Sequence, residues 1–232
     1  MISHKFRCIF VHVPKTAGQS IEHFFLNLQQ LTLREKHQLL LRKNTDPKLG
    51  PSRLAHMRAT EYHECGYISK ERFNDYFSFA FVRNPWERLV SEYLHKKIDK
   101  KQSLKEFVLN GLPEANDFCD KYRHIIPQSD YLFDNHGNQM VNFIGRFENL
   151  QEDFNYVCQR LDIKNSQLPH KNSSYSPRRF LLRKIRHLFS NNNRIKKHYS
   201  EYFDEELFDV VSKMYERDIN KFDYKFDKQE HS

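Results

Sequence analysis

The sequence has few of the features that mark fibrous, disulfide-bonded or membrane-spanning proteins. Only six glycines occur in 232 residues and no low-complexity tract is present, which excludes a fibrous or wholly disordered chain. No stretch approaches the roughly 18 consecutive apolar residues of a membrane span, and the apolar run near the N-terminus is too short for a signal sequence. The sequence therefore predicts a cytoplasmic protein, or a catalytic domain that lacks its anchor, with no transmembrane segment.

The cysteines and histidines lack the spacing of a disulfide or metal framework. The four cysteines are far apart without a C-x-x-C pair, and the thirteen histidines include neither H-E-x-x-H nor any Cys/His ligand spacing. Cys8 and Cys158 lie in apolar periodic segments, where a reduced, buried thiol is expected. The sequence thus predicts no metal.

Positive charge and aromatic side chains are what the sequence does contain. The formal net charge is +8, which favours an anionic partner without choosing among nucleic acid, a nucleotide, an acidic polysaccharide and an anionic membrane surface. The 20 phenylalanines and 12 tyrosines supply enough apolar volume for a core. The length predicts a single domain over residues 1–232, and nothing in the sequence indicates its oligomeric state.

The N-terminal stretch CIFVHVPKTAGQSIEHFF reads as a buried strand, a short loop and an amphipathic helix. The apolar run before Pro14 is typical of a parallel strand, and proline cannot donate to a sheet ladder. Beyond Gly18, apolar residues recur at i, i+3, i+4 and i+7. The loop directs free amides and the positive end of the helix dipole at one point, where Lys15, Thr16 and Ser20 add a charge and two hydroxyls. This pattern predicts a site for an anion, most simply a nucleotide phosphate.

Two further strands are indicated later in the chain. Tyr76–Val82 (YFSFAFV) is the clearer one, and it is followed by Arg83 and a helix that begins near Trp86. Met140–Ile144 is the other, ending at Gly145-Arg146-Phe147, and Arg53–Met57 is a possible short strand. Strands that alternate with helices predict an α/β fold with a central parallel sheet.

The polar residues at the strand ends point to a common ligand. In an open parallel sheet, ligands bind outside the carboxyl ends of the strands. Lys15, Arg83 and Arg146 each lie at a predicted strand end. We therefore expect them to converge on a ligand with more than one phosphate-like group.

The first loop differs from the Walker A motif of nucleotide hydrolases. Lys15 comes before Gly18 and the loop is shorter than that motif requires. No Walker B carboxylate ends an apolar strand, which argues against metal-dependent hydrolysis of ATP or GTP. A nucleotide-dependent kinase of related fold and a basic nucleic-acid-binding module are the alternative functions, although no RNA- or DNA-binding motif is recognisable.

Four motifs, PKTAGQS, FVRNPWERLVSEY, IGRFENLQEDF and LPHKNSS, resemble those of the sulfotransferases that use 3′-phosphoadenosine 5′-phosphosulfate (PAPS). The similarity runs from about residue 6 to residue 226 and is strongest to the carbohydrate branch, which includes heparan and chondroitin sulfotransferases and bacterial relatives. The resemblance implies a P-loop-NTPase-like three-layer fold, with a central parallel sheet flanked by helices. It also implies PAPS as donor, 3′,5′-adenosine bisphosphate as product, no metal and no nucleic-acid partner. The implied acceptor is a hydroxyl of a saccharide or glycoconjugate, anionic ones included.

The resemblance also assigns cofactor-binding residues. The loop around the 5′-phosphosulfate would consist of Lys15, Thr16, Ala17, Gly18, Gln19 and Ser20, with Gln19 standing where many members have threonine. The 3′-phosphate would be bound by Arg83 and Ser91, because an arginine fork suits a terminal phosphate. Additional cofactor contacts are expected from Arg146, Lys171, Ser173 and Ser174. Bracing of the turn at Glu148 is an equal alternative for Arg146.

Two residues are predicted to carry the chemistry. Lys15 would stabilise the bridging oxygen as the S–O bond breaks, the alternative being a passive phosphate clamp. His56 would be the base, because relatives often carry a catalytic histidine before the arginine-bearing strand, and an imidazole with a pKa of about 6.5 is a base at neutral pH. The alternative for His56 is a structural role, with Glu61 and His63 as substitute bases. His12 is expected to be packed inside the first strand.

The acceptor is not identified by any residue of the sequence. Residues 110–138 and the basic run at 178–197 are expected to shape its cleft. That run is either a solvated surface or a lid over the cofactor or an anionic acceptor.

Overall fold

The computed structural model describes residues 1–169 and 197–227, and a four-stranded sheet lies at the centre of this part of the chain. The strands lie side by side in chain order: β1 (Ile2–Ser3), β2 (Cys8–Val11), β3 (Phe77–Val82) and β4 (Phe143–Arg146). β1 pairs antiparallel with β2, whereas β2, β3 and β4 pair in parallel. The parallel sheet predicted from the sequence is therefore confirmed for these three strands.

Helices follow β2, β3 and β4 and fill the intervening chain. In chain order they are α1 (Gly18–Leu28), α2 (Glu61–Glu64), α3 (Lys70–Asp75), α4 (Pro85–His95), α5 (Leu104–Asn110), α6 (Asp120–Arg123), α7 (Ser129–Leu132), α8 (Leu150–Arg160), α9 (Glu205–Met214) and α10 (Glu216–Phe222). Of the helices in the described ranges, none has both the length and the apolar character needed to cross a membrane.

The sheet is covered on both faces, which explains the uninterrupted apolar character of its strands. Cys8 and Phe10 of β2 belong to a buried cluster that includes side chains of α1 and α8. Ile9 and Val11 face the other way, into a cluster with α4, α9 and α10. Because successive side chains of a strand alternate between faces, this division gives an α/β arrangement of helices, sheet and helices.

Two strand predictions are corrected by the structure. Arg53–Met57 is not a strand: Leu54–His56 forms a 3-10 turn, and Arg123 binds the carbonyl of His56. The strand predicted at Met140–Ile144 is β4, which begins at Phe143 and includes Gly145 and Arg146. Just before it, the Asn142 side chain accepts from the amide and the hydroxyl of Ser78, and the Asn142 amide donates to the hydroxyl and the carbonyl of Ser78. The Ser78 amide is therefore bound by a side chain instead of by a backbone carbonyl.

Two segments differ from what their sequence pattern indicates. The apolar periodicity of residues 204–220 predicts one helix, but the structure divides it at Tyr215, whose φ of −113° lies outside the helical range and whose hydroxyl donates to the carbonyl of Ile125. Residues 31–41 have helical character in the sequence, but they form only a 3-10 turn at Lys36–Leu39. The prediction that Cys8 and Cys158 are reduced and buried is confirmed.

Candidate functional site

The loop between β2 and α1 presents an open helix N-terminus at the carboxyl end of the sheet. Lys15 and Ala17 have positive φ angles of 73° and 65°, and the chain turns there directly into α1. Within residues 1–169 and 197–227 no side chain caps α1, and its first turn contains no acidic residue. Nothing in those ranges accepts a hydrogen bond from the backbone amides of Gly18 and Gln19. These amides and the helix dipole therefore form a site suited to an anion.

The side chains of the loop contribute to this site unequally. Lys15 is half-buried, and burial lowers the pKa of its ammonium group to about 8, against the opposing charge of Glu92. The Thr16 hydroxyl donates to the carbonyl of Val13 at 2.8 Å, so in this rotamer it shapes the loop. Ser20 is buried, whereas Gln19 is exposed. Lys15 is thus the loop's own source of positive charge.

Arg83 lies against the same loop. Its Nη1 donates to the carbonyl of Lys15 at 3.3 Å, and its Nη2 to Glu87 Oε1 at 2.6 Å. The guanidinium lies 4.1 Å from the centre of the Phe147 ring. Its Nε is buried without a partner among the described residues. The structure therefore brings Lys15 and Arg83 together, as predicted. It holds the arginine in place and leaves its Nε available to a ligand.

The buried side-chain amide of Gln128 fixes the backbone at Arg83. Gln128 accepts from the amide of Arg83 at 2.9 Å and donates to its carbonyl at 2.7 Å. The next residue, Asn84, caps α4 by accepting from the amide of Glu87. Ser91 lies in α4, the helix that begins two residues after Arg83. Its side chain is half-buried.

Arg146 lies one strand further along the sheet, paired in register with Val82. Its guanidinium binds the carbonyl of Phe222 and lies 4.8 Å from the centre of the Tyr224 ring. It also lines a cavity of about 490 Å³ together with Glu148. Arg146 therefore braces the C-terminal segment at the edge of an open cavity, and its two predicted roles, a cofactor contact and bracing of the Glu148 turn, stay predictions.

His56 lies in a buried turn instead of at a strand end, and is 2% exposed. Its Nδ1 lies 2.6 Å from Asp120 Oδ1. Burial lowers the pKa of His56 to about 3, although the bond to Asp120 opposes this effect. Burial raises the pKa of Asp120, but the hydrogen bond from His56 and the charges of His56, His124 and Arg53 together hold that pKa below its usual range. An ionised carboxylate only accepts, so the proton is on Nδ1 and the Nε2 of the neutral ring carries a lone pair.

Two more histidine–carboxylate pairs flank this one. The ring centres of His12 and His124 each lie 4.8 Å from that of His56, in edge-to-face contact. His12, predicted to be packed inside the first strand, is buried but lies one residue after β2. We call the three pairs, with their Nδ1-to-oxygen distances, the histidine array: His12–Glu22 at 2.6 Å, His56–Asp120 at 2.6 Å and His124–Glu92 at 2.8 Å.

Part of the array also has the composition of a metal site. One donor atom from each of His56, Asp120 and His124 can be chosen so that all three lie within 4.8 Å of one another. The 2.6 Å separation between His56 and Asp120 is a hydrogen-bond distance, shorter than the roughly 3.3 Å between two ligands of a tetrahedral zinc ion with bonds of about 2.0 Å. In this arrangement the two groups share a proton.

The segment that supplies Asp120 and His124 was predicted only as an irregular stretch shaping the acceptor cleft. Buried charged side chains hold this segment in place. Arg88 and Asp218 come from distant parts of the chain: Arg88 donates to the carbonyls of His124 and Ile126, and Asp218 accepts from the amides of Gln128 and Ser129. Arg123, within the segment, donates to the carbonyls of Asp117 and His56. The i, i+4 spacing of Asp120 and His124 is the one sequence signal that places them together.

The substitute bases have other surroundings. Glu61 forms a salt bridge with the buried Arg123 and accepts from the amide of Arg58. His63 packs edge-to-face against Phe73. Both contacts are structural, and neither residue belongs to the array.

Several predicted residues lie outside the described part of the chain. They are Lys171, Ser173 and Ser174, together with the basic run up to residue 196.

The chain is similar to known proteins. The chain matches the sulfotransferase family over residues 1–225. It is also similar to an uncharacterised protein of Archaeoglobus fulgidus, with 36% identity over 100 residues, which cover 41% of this chain and 76% of that protein. No solved structure gives a significant match. The family match covers nearly the whole chain, from the anion loop through Arg83 to the C-terminal helices, and the protein is a member of the sulfotransferase family.

Proposed function

We propose that this protein transfers a sulfuryl group from PAPS to a hydroxyl of a saccharide or glycoconjugate. The observation that carries the proposal is the contact between two strand ends: Arg83 binds the carbonyl of Lys15 beside the open N-terminus of α1. A ligand there meets backbone amides, an ammonium group and a guanidinium, which suits a nucleotide with phosphate-like groups at two positions. The proposal includes one P-loop-like sulfotransferase domain over the chain.

The residues present fit such a nucleotide. The free amides of Gly18 and Gln19 would receive the 5′-phosphosulfate, and the buried, unpaired Nε of Arg83 offers a donor for the 3′-phosphate. Ser91 on α4 would share that phosphate. The existing contacts of Arg83 with Lys15 and Glu87 orient its side chain before a ligand arrives, which lowers the entropic cost of binding.

The chemistry is divided between Lys15 and His56. The donor supplies a sulfuryl group whose S–O bond to the 5′-phosphate breaks as a new S–O bond forms to the acceptor oxygen. His56 Nε2 takes the hydroxyl proton, and Asp120 stabilises the imidazolium that results. The Lys15 ammonium stabilises negative charge on the departing oxygen. Because the His56 pKa is about 3, the ring is neutral at neutral pH and its Nε2 lone pair is available. The same low pKa makes His56 a weak base.

A thermal-shift experiment tests nucleotide recognition. 3′,5′-Adenosine bisphosphate without magnesium should stabilise the protein by about 2.7 kcal/mol at a hundredfold excess over Kd. An equal shift with ATP and magnesium would favour the kinase alternative, and a shift only with oligonucleotides would favour the nucleic-acid-binding module. No shift with the bisphosphate contradicts the proposal.

A transfer assay then identifies the acceptor. Labelled PAPS is incubated with neutral and anionic oligosaccharides, and transfer to at least one of them is expected. His56→Ala should reduce kcat by about 100-fold or more at saturating donor, with bisphosphate affinity retained. A near-normal kcat for this variant would show that the base is another residue.

A further inference from the structure

Two histidine–carboxylate pairs remain without a role in the proposed chemistry. His12–Glu22 and His124–Glu92 are buried on either side of His56. Buried polar pairs often contribute less stability than apolar side chains of the same shape. His124 Nε2, in addition, is buried with no hydrogen-bond partner in the described ranges. Packing alone does not require such groups, so their position around the candidate base calls for a functional explanation.

We propose that His12–Glu22 and His124–Glu92 are positioning pairs, which fix the ring of His56 and connect it to the two elements that bind the nucleotide. This inference rests on the proposed function for the role of His56. The two pairs do not touch the acceptor; they act through the orientation of the His56 ring.

The first step is the orientation of the ring itself. Asp120 binds Nδ1 of His56 and so leaves Nε2 as the free nitrogen. A rotation that exchanged the two nitrogens would have to pass the flanking rings, which meet His56 nearly at right angles, at 78° and 77°. The flanking rings are in turn held by bonds from Nδ1 to Glu22 and to Glu92. Each carboxylate therefore restrains a ring that restrains His56.

The second step is the connection to the anion loop. His12 lies directly after β2 and Glu22 lies in α1, so their bond joins the two ends of the loop that contains Lys15. The His12 ring also covers Gly18: a Cβ there would lie 2.0 Å from His12 Cδ2 and Nε2. Any side chain at position 18 would therefore clash with the His12 ring. Because ring and loop are in such close contact, a displacement of the loop would displace His12.

The third step is the connection to α4. Glu92 follows Ser91 on that helix and binds His124. Arg88, one turn earlier, donates to the carbonyls of His124 and Ile126. The helix that begins next to Arg83 thus fixes the other ring beside His56. Both nucleotide-binding elements contact the base through a histidine.

The test replaces one pair with apolar side chains of similar volume. In His12→Phe/Glu22→Leu the ring contact and the packing are kept, but the bond that orients the ring is lost. We expect the melting temperature and the Kd for the bisphosphate to stay close to wild type. The kcat should fall about 10- to 100-fold, because displacement of a reacting group by about 1 Å has an effect of this size.

A spectroscopic measurement separates positioning from stability. The ¹⁵N shifts of the His56 ring report which nitrogen carries the proton, and wild type should show a single tautomer protonated at Nδ1. The double variant should show a mixture of tautomers. Single-site Glu22→Gln, which keeps an acceptor oxygen, should lie between the two. His4→Phe, which removes a histidine bonded to the Tyr76 hydroxyl far along the chain, is the matched control and should change neither kcat nor the spectrum.

The outcomes distinguish this inference from the proposed function. If the double variant keeps the wild-type kcat and a single His56 tautomer, the pairs are core packing and the inference is wrong. If wild type neither binds the bisphosphate nor transfers a sulfuryl group, the proposed function is wrong. The His56 spectrum still decides in that case whether the pairs orient the ring. If the double variant is unfolded, Glu22→Gln supplies the same comparison through kcat and the spectrum.

Discussion

The strand–loop–helix units β2–α1 and β3–α4 have the same order of elements and place a basic residue at the same edge of the sheet, but their helices begin differently. Asn84 caps α4, Pro85 occupies its first turn and Glu87 adds an acidic side chain there. α1 has neither a side-chain cap nor an acidic residue in its first turn, among the residues that the structure describes. The amide of Glu87 in α4 is thus already satisfied, whereas those of Gly18 and Gln19 in α1 are free among the described residues.

This difference assigns different tasks to the two units. In the proposed function, the open terminus of α1 would bind an anion with its backbone, which fits many phosphate-like groups and depends little on side chains other than Lys15. The capped terminus of α4 would leave recognition to the Arg83 side chain, whose guanidinium is oriented by Glu87 and Phe147. Substitutions in the two units should therefore affect different measurements.

The largest effect is expected for Lys15→Ala. Loss of the ammonium group should reduce kcat by about 100- to 1,000-fold, because charge on the leaving oxygen is no longer stabilised. Bisphosphate affinity should fall less, since the amides of Gly18 and Gln19 remain. Single-turnover transfer from labelled PAPS measures the effect, with the exposed Lys48→Ala as control. A loss of less than threefold would leave Lys15 as a passive clamp.

Arg83→Ala should affect binding more than chemistry. Loss of a charge-assisted contact with a phosphate should raise the Kd for the bisphosphate about 10- to 100-fold, while kcat at saturating donor changes little. Isothermal titration calorimetry gives the Kd. Arg7→Ala, which removes an exposed ion pair with Asp75, is the matched control. Equal losses in kcat and affinity would contradict the division between the two units.

Gln19→Glu makes the first unit resemble the second. A carboxylate in the first turn of α1 should stabilise the free protein by about 0.3–1 kcal/mol through the helix dipole. It should weaken bisphosphate binding about tenfold, because it repels the ligand's charge. Melting curves with and without ligand measure both effects. Asn27→Glu, at the exposed other end of α1, adds the same charge and should leave affinity unchanged; an equal loss there would show that net charge alone is responsible.

The smallest effect is the pH dependence of binding. Burial lowers the pKa of Lys15 to about 8, and an anionic ligand favours its protonated form. The Kd should therefore be constant below about pH 8 and rise by at most about tenfold per pH unit above it. The free energy of unfolding should instead rise with pH between about pH 8 and the ordinary lysine pKa of about 10.4. In that range the folded protein holds a neutral Lys15, so the cost of burying its charge disappears. Lys15→Arg should keep its affinity up to pH 10; a parallel loss in this variant would assign the titration to another group.

The parts of the fold that were predictable are those fixed by local patterns. The apolar runs of β2 and β3, the turn residues after them and the helical periodicity of α1 and α4 are all close in sequence, so the positions of Lys15 and Arg83 followed from them. The start of β4 did not, because Asn142, just before it, binds the amide of Ser78 with its side chain, a contact between residues 64 positions apart. Arg53–Met57 was misassigned for a similar reason, since Arg123 determines its turn.

The sequence by itself determined an α/β fold with a lysine loop and an arginine at adjacent strand ends, because short-range hydrophobic periodicity and loop chemistry are properties of contiguous residues. The resemblance to the sulfotransferases came from four motifs, which are also contiguous. Only the tertiary structure decided that α1 is open and α4 capped. It also decided that His56 is enclosed by His12 and His124 and bonded to Asp120. The array joins residues from the N-terminal unit, a turn, a helix and a segment without strong periodicity, and buried Arg88, Arg123 and Asp218 hold that segment in place. Such long-range pairing of buried charges leaves no periodic signal in the sequence.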